Sequence, residues 1–434
     1  MALLIKNGRV IDPSQDIDKE MDILLSGGKI EKIASNISTK KSNKKVQIID
    51  AKGLIVTPGL IDIHTHMREP GREDEETIET ASQAAAWGGY TSIVAMPNTD
   101  PVNDNRSTTA FILKKGKDCG LVNVYATGSI TKGMKGEQLS DIGEMAEAGV
   151  IGFTEDGKSV MDSGLMRRAM EYIKMFDLPV MSHCEDMTLS REGVMHEGFI
   201  STELGLAGIP REAEEIMVTR DIFLAHMTGA RLHITHISSA GSIEIIRQAK
   251  KKGIKVTADA TPHHFTLSDD MLRTYNTNLK MKPPLMEKKD IKAIIKGFSD
   301  GAIDAIATDH APHHFAEKDV EFNIAPFGII GLQTALPLAL RLYHSKKLTL
   351  DQIVKLMSCN PAKILNLNNK GSLAVGCDAD ITMIDPDYEF TFEKEDIKSL
   401  SQNSPFIGWK FKGKAIATIV AGKIVYNDSK CSIK

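Results

Sequence analysis

The sequence lacks the features that would place the protein in a membrane or on nucleic acid. No apolar run reaches the roughly 18 residues that a membrane-spanning helix needs. The first residues, Met1–Arg9, have no signal-peptide pattern and lead directly into strand-like sequence. The formal net charge is −4, so there is no basic surface field of the kind that attracts nucleic acid. We therefore expect neither a membrane span nor a nucleic-acid partner.

Cysteine is scarce and shows no paired spacing. The five cysteines are widely separated, with no Cys-x-x-Cys, at Cys119, Cys184, Cys359, Cys377 and Cys431. An odd number at such spacing argues against a disulfide framework. We expect reduced thiols, buried as small apolar residues, and a cytoplasmic location.

The two ends of the chain share a pattern that the middle lacks. A chain of 434 residues is long enough for a barrel and a smaller module. Short strand-like segments with glycine turns fill about the first 55 residues and return between Asp380 and Val425. We predict a small β-sandwich domain built from both chain termini, residues 1–55 and 366–434, beside a middle domain of residues 56–365.

The middle of the chain alternates between apolar strand-like runs and helical stretches. The runs are Leu54–His66, Tyr90–Ala95, Val122–Thr127, Gly149–Phe153, Leu178–His183, Arg231–Ile237, Lys255–Ala260 and Ala302–Thr308. Eight such units favour an α/β fold of the (β/α)8 TIM-barrel type. A doubly wound sheet remains an alternative from the pattern alone.

His64 and His66 close the first of these runs. Residues i and i+2 of a strand point to the same face, so both imidazoles project together from one strand end. That arrangement suits a metal ion. For this pair alone, two hydrogen-bonded core histidines remain an alternative.

Further candidate ligands end other predicted strands, namely Asp156, His183, His236 and Asp309. In a barrel these ends meet at one rim, where active sites form. Four histidines and two aspartates match the ligation of zinc or a similar ion, and six ligands are too many for one tetrahedral zinc. We therefore predict two metal ions that share a bridging carboxylate and a bridging hydroxide.

Longer motifs contain four of the six candidate ligands. The most specific are Asp62-Ile-His-Thr-His-Met-Arg-Glu-Pro-Gly, Met96-Pro-Asn-Thr, Phe153-Thr-Glu-Asp-Gly and Thr308-Asp-His-Ala-Pro-His. Through them the chain resembles the amidohydrolase superfamily and, closely, the bacterial and archaeal dihydroorotase family. The resemblance implies two Zn²⁺ at the same six ligands, with Asp156 as the bridge and Asp309 as the catalytic residue. Glu155 is a rival bridge, but strand alternation places it on the opposite face.

The resemblance also implies a substrate pocket. In the family, Arg68 and Asn98 bind a substrate carboxylate, His313 contacts the ring, and the backbone of Phe327 and Gly328 holds it. A forked guanidinium matches a carboxylate, and an amide adds a neutral donor.

One position departs from the family pattern. The family usually has Asn before Pro-Pro-Leu, where this chain has Lys282. We expect Lys282 either to donate to the substrate as a flexible point charge or to turn outward.

The resemblance implies reversible, zinc-dependent cyclisation of N-carbamoyl-L-aspartate to L-dihydroorotate in pyrimidine biosynthesis. Two alternatives stay open: another cyclic amidohydrolase, such as an allantoinase or dihydropyrimidinase, and a noncatalytic scaffold for aspartate transcarbamoylase. The intact ligand set argues for catalysis. Besides the small-molecule substrate, the expected partners are a second copy of the chain in a homodimer and, from family behaviour, aspartate transcarbamoylase.

Overall fold

A computed structural model of the protein describes residues 2–38 and 46–428; Cys431 lies outside these ranges. The described strands, in chain order, are β1 Ala2–Asp12, β2 Ile17–Ser26, β3 Lys29–Ala34, β4 Val46–Asp50, β5 Ile55–Pro58, β6 Leu60–Thr65, β7 Tyr90–Ala95, β8 Asn123–Ala126, β9 Gly128–Ser129, β10 Phe153–Thr154, β11 Pro179–Ser182, β12 Met195–His196, β13 Gly208–Ile209, β14 Arg231–Ile234, β15 Val256–Ala260, β16 Ala305–Ile306, β17 Ile381–Thr391, β18 Lys410–Val420 and β19 Lys423–Asn427.

The described α-helices are α1 Ile78–Gly88, α2 Arg106–Cys119, α3 Ile142–Ala148, α4 Ser163–Ile173, α5 Phe199–Leu204, α6 Glu212–Thr228, α7 Ala240–Lys251, α8 Lys288–Asp300, α9 Phe315–Lys318, α10 Ala335–His344, α11 Leu350–Val354 and α12 Asn360–Ile364. None of them is both long enough and apolar enough to cross a membrane.

A closed ring of parallel strands forms the centre of the molecule. Strands β6, β7 and β8 pair in order, and β9, β10, β11, β14, β15 and β16 continue the ring. The chain changes partner between β8 and β9: Thr127 N donates to Ala95 O at 3.0 Å, and Gly128 N donates to Gly152 O at 3.0 Å. The ring closes where His66 N donates to His310 O at 2.8 Å. The (β/α)8 barrel is therefore confirmed, and the doubly wound alternative is excluded.

Both chain ends enter a second sheet, with the strand order β19-β18-β17-β5-β1-β2-β3 and β4 added on β1. Strand β1 is irregular between Ile5 and Gly8, so β4 pairs with its first half and β5 with its second half. The sheet has an apolar core of its own, in which Ile5, Ile23 and Ile381 are fully buried.

One expected strand is in fact two. The apolar run Leu54–His66 divides at Gly59: β5 joins the terminal sheet and β6 begins the barrel. A Cβ atom at Gly59 would lie 2.1 Å from Thr91 Oγ1, so only glycine allows the chain to pass so close to β7. The prediction of one continuous strand was wrong because both halves are buried and apolar, which hides the break.

Trp87 joins the barrel to the terminal sheet. Its ring, on α1, lies 6.1 Å from the Phe390 ring, 6.2 Å from the Phe392 ring and 6.3 Å from the Tyr426 ring. The Lys414 ammonium stands 4.6 Å from the centre of the same indole. Aromatic packing and a cation–π contact therefore hold the two units together at α1.

Trp87→Ala is expected to destabilise the protein by about 3 to 5 kcal/mol, because it removes a large buried side chain from this junction. Urea unfolding followed by circular dichroism measures the change. Phe223→Ala serves as the control, since that aromatic side chain is 69 % exposed on α6. Equal unfolding midpoints for the two variants would contradict this role of Trp87.

Candidate active site

Six buried side chains meet at the carboxyl ends of the barrel strands. They are His64 in β6 and His66 just after it, Asp156 after β10, His183 after β11, His236 after β14 and Asp309 after β16. These are the six residues that the sequence analysis selected. The parallel direction of the strands brings their ends together at one rim.

The Asp156 carboxylate lies between two groups of imidazoles. Its Oδ2 is 3.1 Å from His64 Nε2 and 3.2 Å from His66 Nε2. Asp309 joins this side, with its Oδ1 at 3.0 Å from His66 Nε2 and 3.4 Å from His64 Nε2. Two imidazole nitrogens and two carboxylate oxygens therefore face one another around one point.

The other oxygen of Asp156 faces the second group. Its Oδ1 is 3.1 Å from His236 Nε2 and 3.3 Å from His183 Nδ1. The two imidazole nitrogens are themselves 2.9 Å apart. One carboxylate thus presents a separate oxygen to each of two ligand groups.

The backbone holds two of these residues in an unusual conformation. His236 has φ of 37° and Asp309 has φ of 47°, both in the left-handed region that side chains other than glycine rarely adopt. Carboxylates fix these segments: Asp259 Oδ1 accepts from His236 N at 2.8 Å, and Asp62 Oδ1 accepts from Thr308 N at 3.1 Å.

The electrostatics of the cluster favour bound positive charge. Burial lowers the pKa of the His64 imidazole, but Asp156 and Asp309 outweigh it and raise the pKa to about 10. Burial raises the pKa of Asp156, yet the surrounding imidazoles hold that pKa well below its usual value. Imidazole nitrogens and carboxylate oxygens are donors that zinc and similar divalent ions accept, so the residues fit a metal centre.

Two of the four imidazoles have polar partners on the ring nitrogen that faces away from the cluster. His66 Nδ1 donates to Asn98 Oδ1 at 2.8 Å, and His183 Nε2 donates to Glu185 Oε2 at 3.0 Å. Such bonds fix the tautomer and leave the other ring nitrogen free to bind a metal. Asn98, selected as a substrate contact, thus also orients a candidate ligand.

A cavity of about 350 Å³ opens over the cluster. The expected substrate contacts line it, namely Arg68, Asn98, Lys282, His313, Phe327 and Gly328, together with His66, Asp156, His183 and Asp309. The size is within the range of small-molecule sites.

A buried carboxylate organises the Arg68 side of the cavity. Glu75 Oε2 is 3.0 Å from Arg68 Nε, and Glu75 Oε1 is 3.1 Å from His313 Nδ1. Arg68 Nε also donates to Pro312 O at 3.0 Å, and His313 Nε2 donates to Phe327 O at 2.8 Å. These contacts fix the guanidinium and the imidazole before any ligand binds.

Of the two possibilities for Lys282, the structure excludes the one in which the side chain turns outward, since Lys282 lines the cavity. Its ammonium neither turns outward nor stands free in the cavity, because Nζ pairs with Glu185 Oε1 at 2.7 Å. Nζ also stands 5.0 Å from the centre of the Phe327 ring. Burial raises the pKa of Glu185, but His183 and Lys282 outweigh it and hold that pKa at about 2.

Glu155 turns away from the cluster. Its carboxylate accepts from Ile130 N at 3.1 Å and from Thr131 N at 3.0 Å, on the far side of β10. This agrees with the strand alternation that favoured Asp156 over Glu155 as the bridge.

Two acidic residues at the site escaped the sequence analysis. Glu185 lies two residues after His183, the same spacing that linked His64 with His66, so the same argument would have found it. Glu75 precedes α1 and carries no such signal, because only the fold brings it to Arg68.

Comparison with known families and sequences gives consistent matches. Residues 53–242 match the family model described as dihydro-orotase-like, and residues 330–426 match an amidohydrolase family model. The chain is 54 % identical to a dihydroorotase of Geobacter sp. (strain M21), over 98 % of this chain and 99 % of that protein. It is 51 % identical to a dihydroorotase of Syntrophus aciditrophicus, over 99 % of this chain and all of that protein (100 %).

Solved structures share the fold. The L-hydantoinase of Arthrobacter aurescens superimposes with a TM-score of 0.88 and 25 % identity, covering 99 % of this chain and 97 % of that one. The dihydropyrimidinase of Brevibacillus agri superimposes with a TM-score of 0.86 and 24 % identity, covering 99 % and 95 %. These are barrels of the same architecture.

Proposed function

Because this chain belongs to the dihydroorotase family, we propose that its cavity interconverts N-carbamoyl-L-aspartate and L-dihydroorotate through the residues described above. The chain is a cyclic amide hydrolase of pyrimidine biosynthesis. The observation that carries the assignment of residues is one cavity that is lined both by four of the six clustered residues and by the largely buried guanidinium of Arg68.

We propose that His64, His66 and Asp309 hold one zinc ion, that His183 and His236 hold a second, and that Asp156 bridges them. The division rests on the two oxygens of Asp156, each of which faces one group. When bound, such ions lower the pKa of water and polarise a carbonyl group.

Arg68 and Asn98 recognise the substrate carboxylate in this proposal. The guanidinium of Arg68 is held through Nε, by Glu75 and Pro312 O, which leaves an edge of the fork for the ligand. Asn98 gives its carbonyl oxygen to His66 and keeps its amide hydrogens for the carboxylate. The His313 ring and the backbone of Phe327 and Gly328 border the space beside them.

Asp309 carries the proton. In hydrolysis, water adds to the ring amide carbonyl, and Asp309 accepts a proton from that water. The carbon–nitrogen bond then breaks, and Asp309 returns the proton to the departing ring nitrogen. In cyclisation the same carboxyl group runs in reverse, as the acid that allows water to leave.

The two alternative functions fit the site less well. Allantoin and dihydrouracil carry no carboxylate, so a cyclic amidohydrolase for them would leave the cavity-facing side of the Arg68 guanidinium without an anionic ligand. A noncatalytic scaffold does not need six converging candidate ligands.

The compartment, the protein partners and the domain boundaries of the enzyme are also part of the proposal. The four described cysteines are free thiols, which supports a reducing, cytoplasmic compartment. A homodimer, and association with aspartate transcarbamoylase, follow from the family resemblance. We further propose the two domains expected from the sequence, residues 1–55 with 366–434 and residues 56–365, with the first boundary moved to Gly59 because β5 pairs within the terminal sheet.

Substrate preference tests the assignment. Zinc-loaded protein should hydrolyse L-dihydroorotate and act poorly on dihydrouracil, which lacks the carboxylate. Arg68→Gln should lower kcat/KM for dihydroorotate by about 10- to 100-fold, since it removes a charge-assisted bond. Loss of ultraviolet absorbance measures both reactions. Equal turnover of the two substrates by the wild-type enzyme would overturn the role of Arg68.

Asp309→Asn tests the proton carrier. The amide keeps one oxygen for a metal but accepts no proton, so turnover should fall to background while much of the metal stays bound. Steady-state rates in both directions, with metal content by mass spectrometry on the same samples, give the result. Near-normal turnover would refute the assignment.

A further inference from the structure

The partners of the four imidazoles are not equivalent. His66 has a neutral amide, Asn98, behind its ring, and the Nδ1 atoms of His64 and His236 have no hydrogen-bond partner among the described residues. Only His183 among them has a carboxylate there, with Glu185 Oε2 at 3.0 Å from its Nε2. It is also the one that turns Nδ1, not Nε2, toward Asp156. Glu185 therefore fixes the orientation of this ring.

The two ligand groups also differ in their negative charge. The group of His64 and His66 includes the carboxylate of Asp309 besides its share of Asp156. The group of His183 and His236 has only its share of Asp156. A carboxylate hydrogen-bonded to a ligand histidine raises the basicity of that histidine. Glu185 thus supplies the second group with part of the charge that Asp309 gives the first.

The other oxygen of Glu185 contacts Lys282, a residue that lines the substrate cavity. Glu185 Oε1 holds the Lys282 ammonium at 2.7 Å, and this side chain is 28 % exposed at the cavity wall. The family's usual asparagine has no charge to offer Glu185. In this chain one carboxylate is shared between a candidate metal ligand and a cation that faces the substrate.

We propose that Glu185 is a positioning residue with two tasks: Oε2 orients His183 for the second metal ion, and Oε1 fixes Lys282 as a cationic substrate contact. The inference rests on the proposed two-ion site. Lys282 draws charge away from Glu185, so metal affinity at the second position and recognition of the substrate depend on the same ion pair.

Metal titration of the metal-free full-length protein tests the first task. Zinc is added in competition with a chromophoric chelator, so that the affinity of each bound equivalent is measured separately. Glu185→Gln should weaken one of two equivalents by about 10- to 100-fold and leave the other unchanged. Glu155→Gln is the matched control: it alters a buried carboxylate beside Asp156 that does not touch a candidate ligand, and both affinities should match those of the wild type.

Lys282→Asn tests the second task at a position whose side chain is partly exposed. Removing the cation leaves the whole charge of Glu185 to His183. The zinc equivalent that Glu185→Gln weakens should therefore bind several-fold more tightly in Lys282→Asn than in the wild type. KM for dihydroorotate should rise, with kcat changed much less.

The outcomes distinguish a failure of the proposed role of Glu185 from a failure of the proposed two-ion site. Unchanged zinc affinities in Glu185→Gln, or zinc binding in Lys282→Asn that is weaker than or equal to wild type, would overturn the role of Glu185. A wild-type chain that binds a single equivalent would count against the two-ion site. The comparison of Glu185→Gln with Glu155→Gln on that equivalent would still decide the present inference.

Discussion

The burial of the Asp156 carboxylate among four imidazoles is the constraint on which the active site depends. An ionised carboxylate in the barrel interior is costly unless positive charge and hydrogen-bond donors surround it. Here the surrounding imidazoles arrive from three other strand ends, so the closed barrel and the buried charge require each other. Because the two oxygens face different pairs of histidines, one residue defines two ligand positions.

Fixed contacts also prepare the substrate side of the cavity. Glu75 links Arg68 to His313, and Arg72 joins the same network through Glu75 and through Glu317 on α9. An enzyme gains rate when the groups that hold its substrate are ordered before binding. Glu185 extends this ordering to the metal side, since it contacts both a ligand histidine and a lysine of the cavity wall.

The sequence predicts much of this arrangement because two simple rules determine which side chains meet at the site. Strand alternation and the rule that barrel strands end at one rim select the six clustered side chains and favour Asp156 over Glu155. The break at Gly59 was missed, because it depends on a close approach to Thr91 that leaves no mark on the apolar pattern. The pairing of Lys282 with Glu185 was missed for a similar reason, since only the fold brings these two loops together. The hydrogen bond by which Asn98 orients His66 was also missed. An asparagine at this position is equally compatible with a turn, with a substrate contact and with a hydrogen bond to a histidine.

Anomalous X-ray scattering from crystals of the zinc-loaded protein, recorded at the zinc absorption edge, tests the central claim most directly. The account predicts two peaks, one on each side of the Asp156 carboxylate: the first bordered by His64, His66 and Asp309, the second by His183 and His236. A single peak bound by all six residues, or peaks away from Asp156, would contradict it.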